Sequence, residues 1–333
     1  MNKLTKIGVS ALCGSLASVA AANAGSLDVT GGATATYTSL DGEVTGNPFG
    51  MASAMTFTGN GELDNGTTFK LSIAHTNKAA YTGSAISITT PTLGTFTYDE
   101  GGGTGLDRID DMMPTAWEEV DGTGQSMGLR TVAGVGGGSD IEWNVGVGLP
   151  EGMNAYISYA PHPDGTKNAN KGTSGTNNSS GLVDDQGWDV VVTHNGLSDG
   201  LNVFAGYSEI GQTADVSDRE SWTIGATYAI GGATVGYQHS RDNNVGAGTY
   251  YENDAYAVSF AVNDNLSISY GVQESDKVSD AGTATTVLDG DSLQLSYTVG
   301  GASIKIADSS VDNQNYVKGT NREGRTVALT LAF

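Results

Sequence analysis

The last nine residues, Arg325 to Phe333, alternate without a break. Val327, Leu329, Leu331 and Phe333 share one face, and Thr326, Ala328, Thr330 and Ala332 share the other. A strand with one apolar face and one small, polar face suits a sheet between oil and water. A single strand of this kind occurs in any half-buried sheet. The constraint comes from its recurrence. From Asp140 onward eleven such segments follow one another, joined by connections that are short, then long, in turn. The short links are 150–153, 198–200, 231–232, 263–265 and 300–301. The long ones are 162–187, 212–221, 244–251, 277–290 and 312–324.

Five further segments precede these, at 27–39, 51–59, 67–75, 85–90 and 95–98. The turn at 62–66 ends in Asn65-Gly66, a strong hairpin signal. Five and eleven make sixteen, an even number with tight turns at one end and long loops at the other, the construction of a membrane barrel. The segments predict an all-β, 16-stranded antiparallel transmembrane β-barrel. No stretch after residue 24 is long and apolar enough for a spanning helix, and the mean hydropathy is −0.20, so a membrane role leaves only a barrel.

The N-terminus carries its own address. Lys3 and Lys6 precede an apolar stretch at 7–22, and Ala22-Asn23-Ala24 places small residues where a signal peptidase reads them. Residues 1–24 are predicted to be a cleaved signal peptide and 25–333 the barrel. Cys13, the only cysteine, lies in the leader behind Leu12, which is not small, so it is neither a lipid acceptor nor a disulfide partner. The formal charge of −22 becomes about −24 once the two leader lysines are gone. Such a surface argues against nucleic acid as a partner.

Residues 100–139 break the rhythm, being too long for an ordinary connection. They hold seven acids, including Asp107, Asp110, Asp111, Glu118, Glu119 and Asp121, against two arginines, Arg108 and Arg130. Residues 125–135 could pair as a seventeenth strand, which would invert the short–long order that follows. The loop reading keeps the count even.

Catalytic chemistry is hard to find. His75, His162, His194 and His239 are scattered with no zinc spacing. There is no nucleophile elbow and no phosphate-cradling loop. The adjacent pairs Asp110/Asp111 and Glu118/Glu119 read as solvated charge rather than as catalytic carboxylates. The acidic loop is the one place a Ca2+ ion would go, although no twelve-residue calcium loop occurs. The expectation is no enzyme and no cofactor.

The leader, the strand count, the turn at 62–66, the acidic third loop with Asp107-Arg-Ile-Asp-Asp111 and the terminal Phe333 together resemble the sixteen-stranded general porins of Gram-negative outer membranes, of the alphaproteobacterial type. The resemblance covers the whole mature chain. It implies a long third loop folded into the lumen as a constriction (100–139), a homotrimer set in outer-membrane lipid and lipopolysaccharide, and a Phe333 read by the barrel-assembly machinery. It also implies basic wall residues facing the acidic loop. Alternation puts Lys70 and Lys305 on the lumen face, and they are the candidates. One departure is visible: the Pro-Glu-Phe-Gly-Gly element of enteric porins is absent, and Met113–Glu118 stands in its region.

Trp143, Trp188, Trp222, Tyr37, Tyr207, Tyr228, Tyr237 and Tyr270 suit interfacial girdles, whereas Trp117, inside the third loop, suits an anchor to the wall. Trimer contact is expected through the first five strands and the last, with Gly31, Gly32, Ala33 and Ala35 allowing close approach and loop 77–84 latching a neighbour. The function that follows is passive diffusion of small hydrophilic solutes and ions with a moderate cation preference. A secreted or surface β-rich adhesin is the alternative.

Overall fold

The computed structural model describes residues 25–41, 46–77, 82–100, 102–161, 163, 183–212, 217–243, 249–279 and 285–333. The leader at 1–24, residues 78–81 of loop 77–84 and most of loop 162–187 lie outside these residues. Among the described residues there are sixteen strands: β1 Leu27–Leu40, β2 Phe49–Glu62, β3 Thr68–Thr76, β4 Gly83–Thr90, β5 Gly94–Asp99, β6 Asp140–Asn144, β7 Met153–Ala160 and β8 Val183–His194, then β9 Leu201–Gln212, β10 Arg219–Ile230, β11 Ala233–Asn243, β12 Tyr250–Asn263, β13 Leu266–Val278, β14 Thr285–Val299, β15 Ala302–Asp312 and β16 Arg322–Ala332. Each pairs antiparallel with its sequence neighbours, and β1 pairs with β16 to close the barrel. Closure leaves no edge with unpaired backbone groups, which hydrocarbon cannot satisfy.

Alternation sorts the faces as the sequence implies. Val29, Phe57, Leu71, Ile88, Val258 and Leu329 are exposed on the outer face. The girdle aromatics point the same way, and Tyr37, Trp188, Tyr228, Tyr237 and Tyr270 are exposed there. Trp143 donates from Nε1 to the Leu93 carbonyl beside a short turn (2.6 Å) and stacks on Phe96. At the other end Trp222 tilts against His239 and Tyr237 against Tyr256. An adhesin built on a soluble sheet has no use for this outward apolar band.

Several boundaries differ from the expected ones. β8, β12, β14 and β16 start earlier, at Val183, Tyr250, Thr285 and Arg322. Backbone pairing continues there although the apolar alternation has stopped, and on β14 the added segment carries Leu288, which faces the docked loop. β6 ends at Asn144 rather than at 149, because Val145–Val147 curl into consecutive tight turns and Gly148 follows at φ +77°. Residues 125–135 form no strand; the segment 100–139 holds only 3-10 turns at Gly105–Ile109, Val120–Gly122 and Gly134–Gly137. Gly32 is also corrected. It alternates with outward Gly31 and Ala33 and so faces the lumen, which leaves Gly31, Ala33 and Ala35 as the small outer-face residues of β1.

The seam closes on the chain terminus. The Phe333 amide donates to the Gly31 carbonyl (3.0 Å) and the Gly31 amide donates back to Phe333 (3.1 Å). The Phe333 ring lies outside over Gly31, where an added Cβ would come 3.1 Å from it.

Candidate functional site: the acidic loop inside the barrel

Residues 100–139 enter the lumen and dock on the inner wall. Their base is caught by three carboxylates, Asp140 and Glu142 of β6 and Asp189 of β8. Thr104 Oγ1 donates to Asp140 (2.6 Å), the Gly105 amide donates to Glu142 (2.8 Å), and Arg108 pairs with Glu142 at 2.5 Å. Asp189, fully buried, accepts from the Leu106 amide (2.8 Å) and from the Val135 amide (3.1 Å), so one side chain holds both ends of the loop. Gly105 (φ +51°) and Gly134 (φ +58°) approach that carboxylate from either side. A Cβ at either would stand 2.3 Å from Asp189 Oδ2, so no larger residue fits.

Three apolar clusters complete the docking. Leu106, Ile109, Met113 and Val132 of the loop pack on Val191 of β8, Phe204 of β9 and Ala255 of β12. Val120 and Met127 pack on Leu288 of β14 and Val311 of β15. Val135 packs on Ala160 of β7 and Ile210 of β9. Burying each large aliphatic side chain contributes about 1.5–3 kcal/mol, so the loop belongs to the core of the molecule. Wall glutamines satisfy its backbone between the clusters. Gln238 Nε2 donates to the Asp110 carbonyl (2.6 Å), and Gln294 Nε2 donates to that of Glu118 (2.7 Å) while Gln294 Oε1 accepts from the Trp117 amide (3.1 Å). Ser269 Oγ accepts from the Ala116 amide (2.8 Å).

The docked loop gathers its acids into one cluster. Asp111 and Glu118 are exposed to the lumen, and Asp107, Asp110, Glu119 and Asp121 are half-buried behind them. Burial pushes the carboxyl of Asp110 up to about 8, with Asp107, Asp111, Glu119 and Asp121 adding to the rise. Burial likewise lifts Glu119 to about 8, against the Met113 amide (2.9 Å) and Gln273 Nε2 (3.0 Å), which donate to it. Burial also raises Asp107, Asp111, Glu118 and Asp121, and for Glu118 the nearby Lys305 opposes the rise. Among the described residues no group of three or more His, Cys, Asp or Glu is arranged to hold a metal ion, so the calcium expectation gains no geometry.

The bases are placed differently from expectation. Arg108 and Arg130 sit outside the acid cluster, one at each end of the loop: Arg108 on Glu142 and over the Tyr156 ring (4.2 Å), Arg130 on Asp242 of β11 (3.2 Å). Lys305 of β15 faces the lumen but stands beside the loop, its Nζ 5.9 Å from the Trp117 ring, rather than across from it. Lys70 of β3 faces the lumen on the wall away from the docking strands, near the short-turn mouth with Asn60 and Glu62. At Trp117 the bond to the wall is made by the backbone amide, on Gln294, while the ring meets the wall at Lys305. Sequence reasoning missed the anchors Asp189 and Glu142 and the glutamines.

A model of the Gram-negative porin family matches residues 8–302. Among solved structures, the chain is similar to Salmonella typhi OmpF in complex with daunomycin, at 14% identity, TM-score 0.70, 93% of this chain and 98% of that one. It is similar to OmpT of Vibrio cholerae in its trimer form, at 11% identity, TM-score 0.65, and 93% and 99% coverage. A mutant Rh. blastica porin matches at 16% identity, TM-score 0.59, and 92% and 100% coverage. No curated protein matches the sequence. Likeness at such identities shows the fold, and the family match adds what the fold is used for: the chain belongs to the Gram-negative porin family and forms a channel through the outer membrane.

Proposed function

We propose that this channel carries small hydrophilic solutes and ions by passive diffusion, prefers cations moderately, and is narrowed by residues 100–139. The observation that carries the reading is the convergence of Asp107, Asp110, Asp111, Glu118, Glu119 and Asp121 on one lumenal cluster, with Lys305 as its close base. The facing wall adds little charge to offset it. Thr34, Thr36, Thr58, Ser72, Ser87 and Thr97 alternate into the lumen, and Lys70 is the single lysine or arginine among the described residues of β1 to β5. A low-dielectric wall focuses the field of fixed charges at a narrowing, while salt screens it over about 8–10 Å at physiological strength. The preference therefore fades as salt rises.

Replacing Asp110, Asp111, Glu118 and Glu119 together by their amides shifts the reversal potential in a KCl gradient toward anions and leaves the barrel folded. Anion preference in the native protein, or no shift in the variant, would remove these acids from the constriction. The same reading makes the protein a homotrimer in lipid and lipopolysaccharide, joined through the outer faces of β1 to β5 and β16. It also makes Phe333 the mark read by the barrel-assembly machinery. Support comes from small outward Gly31, Ala33 and Ala35, and from the trimer form of the Vibrio cholerae relative.

A further inference from the structure

On β11 to β13, strand register sets two tiers of opposite sign on the inner wall. Gln238, Ala255 and Gln273 lie in one row across β11, β12 and β13. Gln238 holds the Asp110 carbonyl and Gln273 holds the Glu119 carboxylate, so the acid cluster sits at this row. Four residues further along the same strands, toward the long loops, Asp242, Tyr251 and Lys277 form a second row. Asp242 is fully buried and accepts from Arg219 Nη2 (2.6 Å) and from Arg130 Nε (3.2 Å). Lys277 Nζ lies 5.7 Å from the ring centroids of both Tyr251 and Tyr316, within cation–π range. Tyr316 is tied to the loop, for its hydroxyl accepts from the Arg130 amide (3.1 Å).

Among the described residues of this patch, three cations stand against one carboxylate, and the next carboxylates of the same row, Asp189 and Glu142, are taken up by the base of the loop. Arg219 is consumed by its bidentate hold on Asp242 and is buried. Arg130, whose side chain is 38% exposed, and Lys277 carry the surplus. Arg130 also ties the loop to β11 through Asp242, whereas Lys277 takes part in neither the loop docking nor the acid cluster. At about 3.3 Å per residue the tiers stand about 13 Å apart along a strand, and strand tilt of roughly 35–45° brings that to about 10 Å along the pore axis. Along this wall of β10 to β13 the fixed charge of the described residues therefore changes sign, positive toward the long loops and negative at the acid cluster.

We propose that the two tiers form a lengthwise binding site for solutes that carry a cationic and an anionic end about 10 Å apart, with short zwitterionic peptides as the class. An extended chain spans about 3.3–3.6 Å per residue, so three or four residues reach from one tier to the other. The amino end leads to the carboxylates around Asp111 and Glu118. The carboxylate end remains at Lys277 and Arg130, with the Tyr251 and Tyr316 rings as its apolar flank. The proposal rests on the reading of 100–139 as the pore lining.

Tetraglycine tests it in planar bilayers. Added at the long-loop side in low salt, it reduces the KCl current in a saturable way, and more strongly than N-acetyl-tetraglycine amide, which has the same length and no charged ends. Lys277→Gln weakens that block by about fivefold, the size expected for one partly exposed charge contact. Lys277 makes no ion pair among the described residues, so this variant keeps the fold. Equal block by the capped peptide, or unchanged block in the variant, overturns the lengthwise site. Absence of KCl conductance overturns the channel reading beneath it, a separate and distinguishable result.

Discussion

Asp110 and Glu119 show how far one side chain's surroundings set what the pore does. Both are acids in sequence, yet burial lifts each to about 8, so at neutral pH both hold protons and the cluster carries less charge than its composition suggests. Cation preference should then climb as pH rises through about 8 and fall below it. The measurement is the reversal potential in a fixed KCl gradient from pH 6 to pH 9, and a flat profile would refute the assignment. The linkage has a definite sign. A carboxyl raised on docking stabilises the docked loop fully at pH below its ordinary value near 4, and that contribution is lost as pH rises through about 8. Docking therefore weakens over the range in which the charge grows.

At the scale of elements, alternation explains the strands and its interruptions explain the loop. Strand count and order, the inside–outside sorting and the girdles were legible because period 2 reports the face directly. Around the circumference period 2 is silent. Lys70 and Lys305 share a parity, but only closure of the barrel puts one by the loop and the other away from it. The docking surface left a different trace. Val190-Val191-Val192, Val203-Phe204 and Val287-Leu288 place an apolar residue where a polar one is due, and Val191, Phe204 and Leu288 are the residues on which the loop rests. Asp189 and Glu142 gave no such sign, because an acid on a lumen face is the default. Leu106→Ala, beneath the loop base, should cost about 2–5 kcal/mol of docking, while the lipid-facing sheet is untouched. Limited proteolysis should cut residues 100–139 in that variant at a rate the parent does not show. Heat-modifiable gel migration should stay the same, and a lost barrel band would mean the loop supports the whole fold.

For the whole molecule, the decisive feature is closure, since a sheet of this size leaves no unpaired edge in lipid only when β1 pairs with β16. The first and last strands meet over nine register pairs, from Gly32↔Ala332 to Leu40↔Gly324. Phe333 adds the two backbone bonds to Gly31 and a ring on the outer face. Net hydrogen bonds in a folded chain contribute about 0.5–1.5 kcal/mol each, a small share of a barrel closed by fifteen other strand pairings. Removing Phe333 should therefore leave the finished barrel almost as stable as before. What it takes away is the exposed terminal ring, 78% accessible on the finished barrel, on which the proposed assembly role rests. The expected outcome for the deletion is a several-fold drop in outer-membrane protein, with normal heat modifiability, trimer mass and single-channel conductance in the fraction that assembles. Phe333→Tyr, which keeps an aromatic ring at the end, should restore the level. Normal levels in the deletion would separate Phe333 from assembly, and a fully assembled but heat-labile barrel would show that its role lies in the seam itself.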